Sequence, residues 1–370
     1  MAIPERIPHC YASRPVAAPT ACERVLYRRW ISLLYHWIYG LSISVRTLWS
    51  LSRLVTLAAP FCAATNMSWT DILALFAFVY AASGYDLKAN LDTPLNFSNP
   101  SYGMSADGKA ACVSGKIGVT ASASNTKLLL KSPASQAELT QTAVEMAQAG
   151  SNYTQRVTSG GPNQVSGTFQ IFSQLCVPNN NSAASNVQTL QFLSHGGTLD
   201  HTYWDFAPGY SYVDAAAEAG YATFLYDRLG TGLSDHPDPN QVVQAALQVE
   251  IAHVLIQGLR NVRIQGKGIT KVVGVGHSAG SAMTLGVIGE YPRDFDGLVF
   301  TGISASVDSV PIAQISFNLL PAPLDPSGRF KNLDKGYLTQ GAITQSFQFP
   351  FYRYPEYDQK STSHSFPILL

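Results

Sequence analysis

The chain has 370 residues, 46% of them apolar, and balances 24 basic against 24 acidic side chains to a formal net charge of zero. That apolar content excludes a disordered chain, and the lack of a basic excess argues against a nucleic-acid partner. Five widely spaced cysteines, with no Cys-x-x-Cys and no Cys/His cluster, set aside a zinc module and a small disulfide-dense scaffold. No metal or other cofactor is expected.

The zero charge hides an asymmetry. Residues 1–66 hold seven arginines, no lysine and two acids, so they carry +5 and the remainder −5. The same region contains three apolar stretches, Trp30–Val45, Leu54–Ala64 and Ile72–Ala82. Each is shorter than the roughly 20 residues that span a bilayer. Arg28-Arg29 before Trp30 resembles the basic flank of a signal-anchor. A second reading starts at Met67, where MSWTDILALFAFVYAASG has the apolar run and small-residue end of a secretory signal peptide over 67–83. Its front end carries Asp71 in place of a Lys or Arg. Residues 1–84 are therefore expected to be a hydrophobic targeting or anchor segment, and the product secreted or, through residues 30–82, membrane-associated. Sequons at Asn96, Asn152 and Asn180 agree with export. Cys112 and Cys176, the cysteines left after cleavage near Ser83, either form one disulfide or remain two buried thiols.

Residues 85–125, rich in Ser, Gly, Ala and Asn, predict an irregular lead-in to a domain over 126–370. Ser135-Gln-Ala-Glu138 is a capping box that opens a helix to about Gln148. Strands are then predicted at Gly167–Val177, Val187–Leu193, Tyr221–Tyr226, Lys271–Val275 and Gly297–Thr301. Helices are predicted at Tyr210–Ala219, Gln241–Leu259 and Ala279–Gly289. This alternation predicts an α/β fold, a mostly parallel sheet with helices on both faces and the ligand site at the carboxyl ends of its strands.

Three motifs occupy those strand ends. Gly276-His277-Ser278-Ala279-Gly280 has the G-x-S-x-G pattern of a nucleophile elbow, between a strand and a helix. The turn needs Gly276 and Gly280 because side chains there would collide across it, and the Ala279 amide faces an oxyanion from the helix N-terminus. His277 adjoins the nucleophile, with its side chain expected to point elsewhere. Ser194-His195-Gly196-Gly197 follows an earlier strand and can supply the second oxyanion donor, from Gly197 or alternatively Gly196. Asp227-Arg228-Leu229-Gly230-Thr231-Gly232-Leu233-Ser234-Asp235 follows the strand after that, with Asp227 and Arg228 read as loop-bracing.

In that order the three motifs resemble the α/β-hydrolase superfamily over roughly Gln164–Ser304. HGGTLDHTYWD and YDRLGTGLSD look like fungal-type secreted members of its esterase/lipase-like branch. The resemblance implies a serine hydrolase that cleaves an ester or related acyl bond of a small apolar substrate through an acyl-enzyme on Ser278. It also implies an acid and then a histidine after the elbow. His364 is the one histidine there, in the tail STSHSFPILL, and no acid after the elbow ends a clear apolar strand. The last two strands of the fold are thus expected to be missing, as in a hydrolase shortened at its C-terminus. The Pro-, Phe- and Tyr-rich stretch within 305–360 suits a partial lid. A catalytically incompetent homologue is the competing reading. A proline-iminopeptidase-like peptidase is weaker, since its loop tends to read HGGPG where this one reads HGGTL.

Overall fold

The computed structural model describes residue 87 and residues 91–93, 95–184, 187–305, 315–341, 344–353 and 355–356. The chain divides into two compact units, Met1–Ala82 and Ser83–Leu370, and all described residues fall in the second. The expected targeting segment 1–84, its signal-peptide stretch 67–83 and His364 lie outside the described residues. No helix among the described residues is long and apolar enough to cross a membrane.

Strands β1 (Ser98–Met104), β2 (Ala110–Thr126), β3 (Pro162–Pro178), β4 (Thr189–Ser194), β5 (Ala222–Tyr226), β6 (Lys271–His277) and β7 (Gly297–Thr301) form one sheet. Its order is β7-β6-β4-β5-β3-β2-β1. The pairings β4/β5, β4/β6 and β6/β7 are parallel, whereas β3/β5, β2/β3 and β1/β2 are antiparallel. The α/β-hydrolase fold class stands. The expectation of a mostly parallel sheet is corrected to a mixed one.

The source of that correction is the stretch 85–125, which is not an irregular lead-in. β2 and β3 pair one-to-one from Ala110↔Pro178 to Thr126↔Pro162, without a bulge. Val113, Gly115, Ile117, Val119 and Ala121 are buried, while Gly118, Thr120 and Ser122 between them are exposed. The period of two is present in the sequence, but the residues that carry it are mostly small and give it little hydrophobic amplitude. β1 is exposed along its length and contains Pro100, a residue tolerated on an outer strand because it lacks a ladder donor. Gly115 is required beneath it, since a Cβ there would stand 2.8 Å from the Ser98 carbonyl oxygen.

The register sets Cys112 opposite Cys176, and the two form a disulfide across β2 and β3. The bond closes a loop with a sequence separation of 64 residues. On chain-entropy grounds its loss should cost about 4 kcal/mol. The double variant Cys112→Ala/Cys176→Ala is therefore expected to melt well below the wild type in a calorimetric scan; an unchanged transition would show that the bond constrains little in the unfolded chain.

The central strands are apolar on both faces, as strands covered on both sides must be. Leu190, Phe192, Phe224 and Val272 pack with Leu247, Ile251, Leu255 and Ile256 of α3 (Ala245–Leu259) and Val287 of α4 (Ala279–Glu290). Leu193, Leu225 and Val275 face the other way, onto Trp204 and onto Val213 and Ala217 of α2 (Tyr212–Glu218). The expected helices on both faces are thus present.

Asp214 of α2 pins the β1–β2 turn. Its carboxylate accepts from the Ser105 hydroxyl, the Lys109 amide at 2.9 Å and the Asp107 amide at 2.7 Å. Burial opposes the charge, but these donors and Ser211 outweigh it, so the group sits below its usual range. A folded-state value below the unfolded one stabilises the fold above the unfolded value, about 4, and that contribution is lost as pH falls through the folded value. In urea melts the advantage of wild type over Asp214→Asn should be full at neutral pH and shrink under acid. An advantage that stays constant down to strong acid would contradict this role.

Candidate active site

The elbow is built where β6 meets α4. Ser278 has φ 51° and ψ −117°, a left-handed conformation that non-glycine residues rarely adopt and that stores strain at functional positions. Its amide donates to the Thr301 carbonyl at 2.8 Å, and the Ser281 hydroxyl donates to the same oxygen at 3.0 Å. The end of β7 therefore holds the base of the turn. Gly276 has no room for a side chain, because a Cβ would lie 2.6 Å from the Ser281 nitrogen. Gly280 has none because its Cβ would run into the backbone of β4, 2.7 Å from the His195 oxygen and closer still to that of Ser194. The two glycines let β4, β6 and α4 converge on Ser278, which remains partly open.

The glycine loop after β4 lies against this turn. A Cβ on Gly196 would be 3.5 Å from the Ser278 Cβ and 3.1 Å from His277 Cδ2, and one on Gly197 would be 3.9 Å from the Ala279 Cβ. Among the described residues neither the Gly197 nor the Ala279 amide donates to another group. Thr198 completes the loop at φ 60°, a second strained residue that the sequence did not flag, and its hydroxyl donates to Gln340 Oε1 at 3.3 Å. β-Branching makes this conformation unusual for Thr, and proline, locked near φ −65°, cannot adopt it.

The described histidines are each engaged elsewhere. The His277 ring stacks on Tyr203 at 4.8 Å, and its Nδ1 is 3.1 Å from the Thr301 hydroxyl. Gly302, at φ 62°, leaves space for it, and burial holds its pKa below the ordinary value. His201 Nδ1 lies 2.7 Å from Asp227, His253 Nδ1 lies 2.7 Å from Asp294, and His236 packs edge-on against Tyr337. His195 is fully buried, and burial and then Arg228 keep it neutral. Among acids after the elbow, Asp294 accepts from Gln257, Asp296 from Arg260 and the Val272 amide, and Asp334 from Ser132 and the Gly336 amide. No acid–histidine pair among the described residues is joined to Ser278 by a hydrogen bond.

Asp200, His201 and Asp227 have metal-ligand spacing, their ligand atoms all within 4.8 Å. Several of their lone pairs already have donors. Asp227 accepts from the His201 amide at 2.7 Å and the Leu233 amide at 2.8 Å, and Asp200 from the Thr202 amide at 2.9 Å. Burial opposes a charge on His201, but Asp227 and the neighbouring carboxylates outweigh it and raise its pKa, so the ring is clasped by acids rather than an open ligand. Asp227 also determines a glycine: at Gly232, φ 53°, a Cβ would overlap its carboxylate. The group braces the loop after β5.

Described residues within 305–360 contact the loops around the site. The antiparallel pair Leu319–Pro321 and Leu338–Gln340 is tied to α1 (Gln136–Ala147) by Gln136 and the Leu319 carbonyl. It is tied to the loop after β5 by the Tyr337 hydroxyl and the Pro237 carbonyl, and to the glycine loop by Thr198 and Gln340.

Residues 192–364 match the model of the alpha/beta hydrolase family. The matched segment carries the turn at Ser278, and its fold is that of an α/β-hydrolase. Solved structures similar to it include epoxide hydrolase VrEH1 from Vigna radiata, with 15% identity over 37% of this chain and 36% of that one and a TM-score of 0.30. An esterase from Exiguobacterium antarcticum has 17% identity over 37% and 43%, with a TM-score of 0.29. Proline iminopeptidase from Mycobacterium smegmatis has 22% identity over 35% and 39%, with a TM-score of 0.28. The matched part spans less than half the length of each of these proteins. No curated protein matches the sequence.

Proposed function

We propose that this protein is a serine hydrolase that cleaves an ester or related acyl bond of a small apolar substrate through an acyl-enzyme on Ser278. The observation that carries this reading is the left-handed backbone of Ser278, held between two glycines that admit no side chain and beside a glycine loop with a free amide. A serine hydroxyl rather than a carboxylate at this turn favours acyl transfer over alkyl-enzyme chemistry. The Gly197 and Ala279 amides serve as the oxyanion donors, Gly196 being the alternative at the loop. The lid role belongs to 305–360, which touches the glycine loop through Gln340. Thr198 at φ 60° cannot be replaced by proline, so the loop differs in conformation from one reading HGGPG, which disfavours the peptidase reading. A fluorophosphonate probe tests the proposal: covalent labelling of Ser278 in folded protein is expected. An unlabelled, well-folded chain would instead favour a non-catalytic binder of the same fold.

The same reading includes export. A buried disulfide suits an oxidising compartment, and the sequon residues Asn96, Asn152 and Asn180 are all exposed. Expression in a eukaryotic secretory host should release protein whose mass falls on treatment with an N-glycosidase. Retention of unmodified protein inside the cell would overturn this part.

A further inference from the structure

We infer that Arg228 is the positioning residue of the oxyanion site, fixing the peptide planes of His195–Gly196 and Gly196–Gly197 so that their amides face Ser278; this rests on the hydrolase reading above. Arg228 is buried, and its guanidinium donates to the carbonyls of both His195 and Gly196, the second at 3.0 Å. A trans peptide points its N–H opposite to its C=O. Two successive carbonyls gathered on one side by one guanidinium therefore turn the two following amides, of Gly196 and Gly197, to the other side. That side is the elbow, against which the loop packs: a Cβ on Gly196 would stand 3.5 Å from the Ser278 Cβ and one on Gly197 3.9 Å from the Ala279 Cβ. Successive amides turned the same way form an anion-binding concavity.

His195 closes the clamp. Its Nε2 accepts the Arg228 amide at 3.2 Å, so the ring proton sits on Nδ1, 2.9 Å from the Gly196 oxygen. The Gly196 carbonyl is thus held by two donors, and glycine, which rotates most freely, is held where the peptide plane matters most. The arginine's planar fork fits this task, since it can reach two carbonyls at fixed angles, which a lysine ammonium cannot do with the same geometry. A carboxylate partner would compete for those donors. Asp227, next in sequence, is instead occupied by His201 and Leu233.

The test compares wild type with Arg228→Met, which keeps the stem and removes the donors, by the rate of fluorophosphonate labelling of Ser278 and by hydrolysis of a p-nitrophenyl acetate reporter. Loss of a placed oxyanion donor lowers the chemical step by about 10²–10³. The variant should therefore label about 10²-fold more slowly in its folded fraction, with kcat reduced and KM nearly unchanged. A folded Arg228→Met that labels as fast as wild type overturns the inference while leaving the hydrolase reading intact. If that variant does not fold, Arg228→Lys decides: labelling at the wild-type rate overturns the inference, and slower labelling in a folded protein supports it. A wild type that is not labelled at all overturns the hydrolase reading and the inference with it.

Discussion

Ser278→Ala is expected to abolish fluorophosphonate labelling and to lower turnover of an activated ester by about 10⁴-fold or more, since the nucleophile of an acyl-transfer site acts as a unit with its base. Ser278→Gly should lose activity equally but gain stability. At φ 51° and ψ −117° a non-glycine residue is strained, by about 1–3 kcal/mol, and glycine adopts such conformations without a Cβ clash. Part of that gain is offset by the greater freedom of glycine in the unfolded chain. A net rise of about 1 kcal/mol in unfolding free energy is expected for Ser278→Gly over Ser278→Ala. The pair separates chemistry from strain. Residual turnover in both variants would assign the activity to another residue, and equal stabilities would show that the turn is not held under strain.

Gly280→Ala is expected to have the largest combined effect on stability and activity. The added methyl would enter the backbone of Ser194 and His195, the segment that delivers the glycine loop to the elbow. Backbone cannot rotate away as a flexible side chain can, so β4 and α4 must separate. Overpacking of this kind costs about 1–3 kcal/mol, or more where main chain is displaced. Because the displaced segment carries Gly196 and Gly197, labelling of Ser278 should slow by about 10²-fold or more even in the folded fraction. By contrast Gly289→Ala, at a position with open space around it on the same helix, should be neutral or slightly stabilising. If both substitutions behave alike in melting and labelling, the close approach at Gly280 is not what shapes the site.

Much of this was legible from sequence because the chemistry and the local turn use the same residues. G-x-S-x-G specifies a strand-turn-helix by glycine sterics and a nucleophile by its serine, so one pattern predicts both. The predicted helix starting at Ser135 is capped as its box implies: the Ser135 hydroxyl accepts the Glu138 amide, and the Glu138 carboxylate turns back to the Ala134 amide. The predicted strands at Tyr221–Tyr226 and Lys271–Val275 hold because continuous apolar runs bounded by glycine and charge fit strands covered on both faces. β1 and β2 were missed for the opposite reason. β1 is polar and exposed and has no apolar alternation at all, while that of β2 is carried by Ala, Gly and Ser as much as by Val and Ile, and its partners on β3 lie 36 to 68 residues away, beyond any local signal. The start of α3 was predicted at Gln241 and is found at Ala245, because Asp238 accepts the amides of Asn240 and Gln241 and keeps those residues in a turn.

The sequence by itself determined the strand-turn-helix around Ser278, the placing of glycines where backbone must pass close to backbone, and the strand-helix alternation that brings strand ends together. Tertiary structure alone decided which groups meet there. It placed Thr301 beneath the elbow, bent Thr198 into a left-handed turn against Gln340, joined Cys112 to Cys176, and aimed the Arg228 guanidinium at two carbonyls more than 30 residues earlier. The physical reason is that sterics and hydrophobic periodicity act between neighbours along the chain, whereas a hydrogen bond, a disulfide or a peptide orientation depends on the registry of strands distant in sequence. That registry is set only when the sheet has formed.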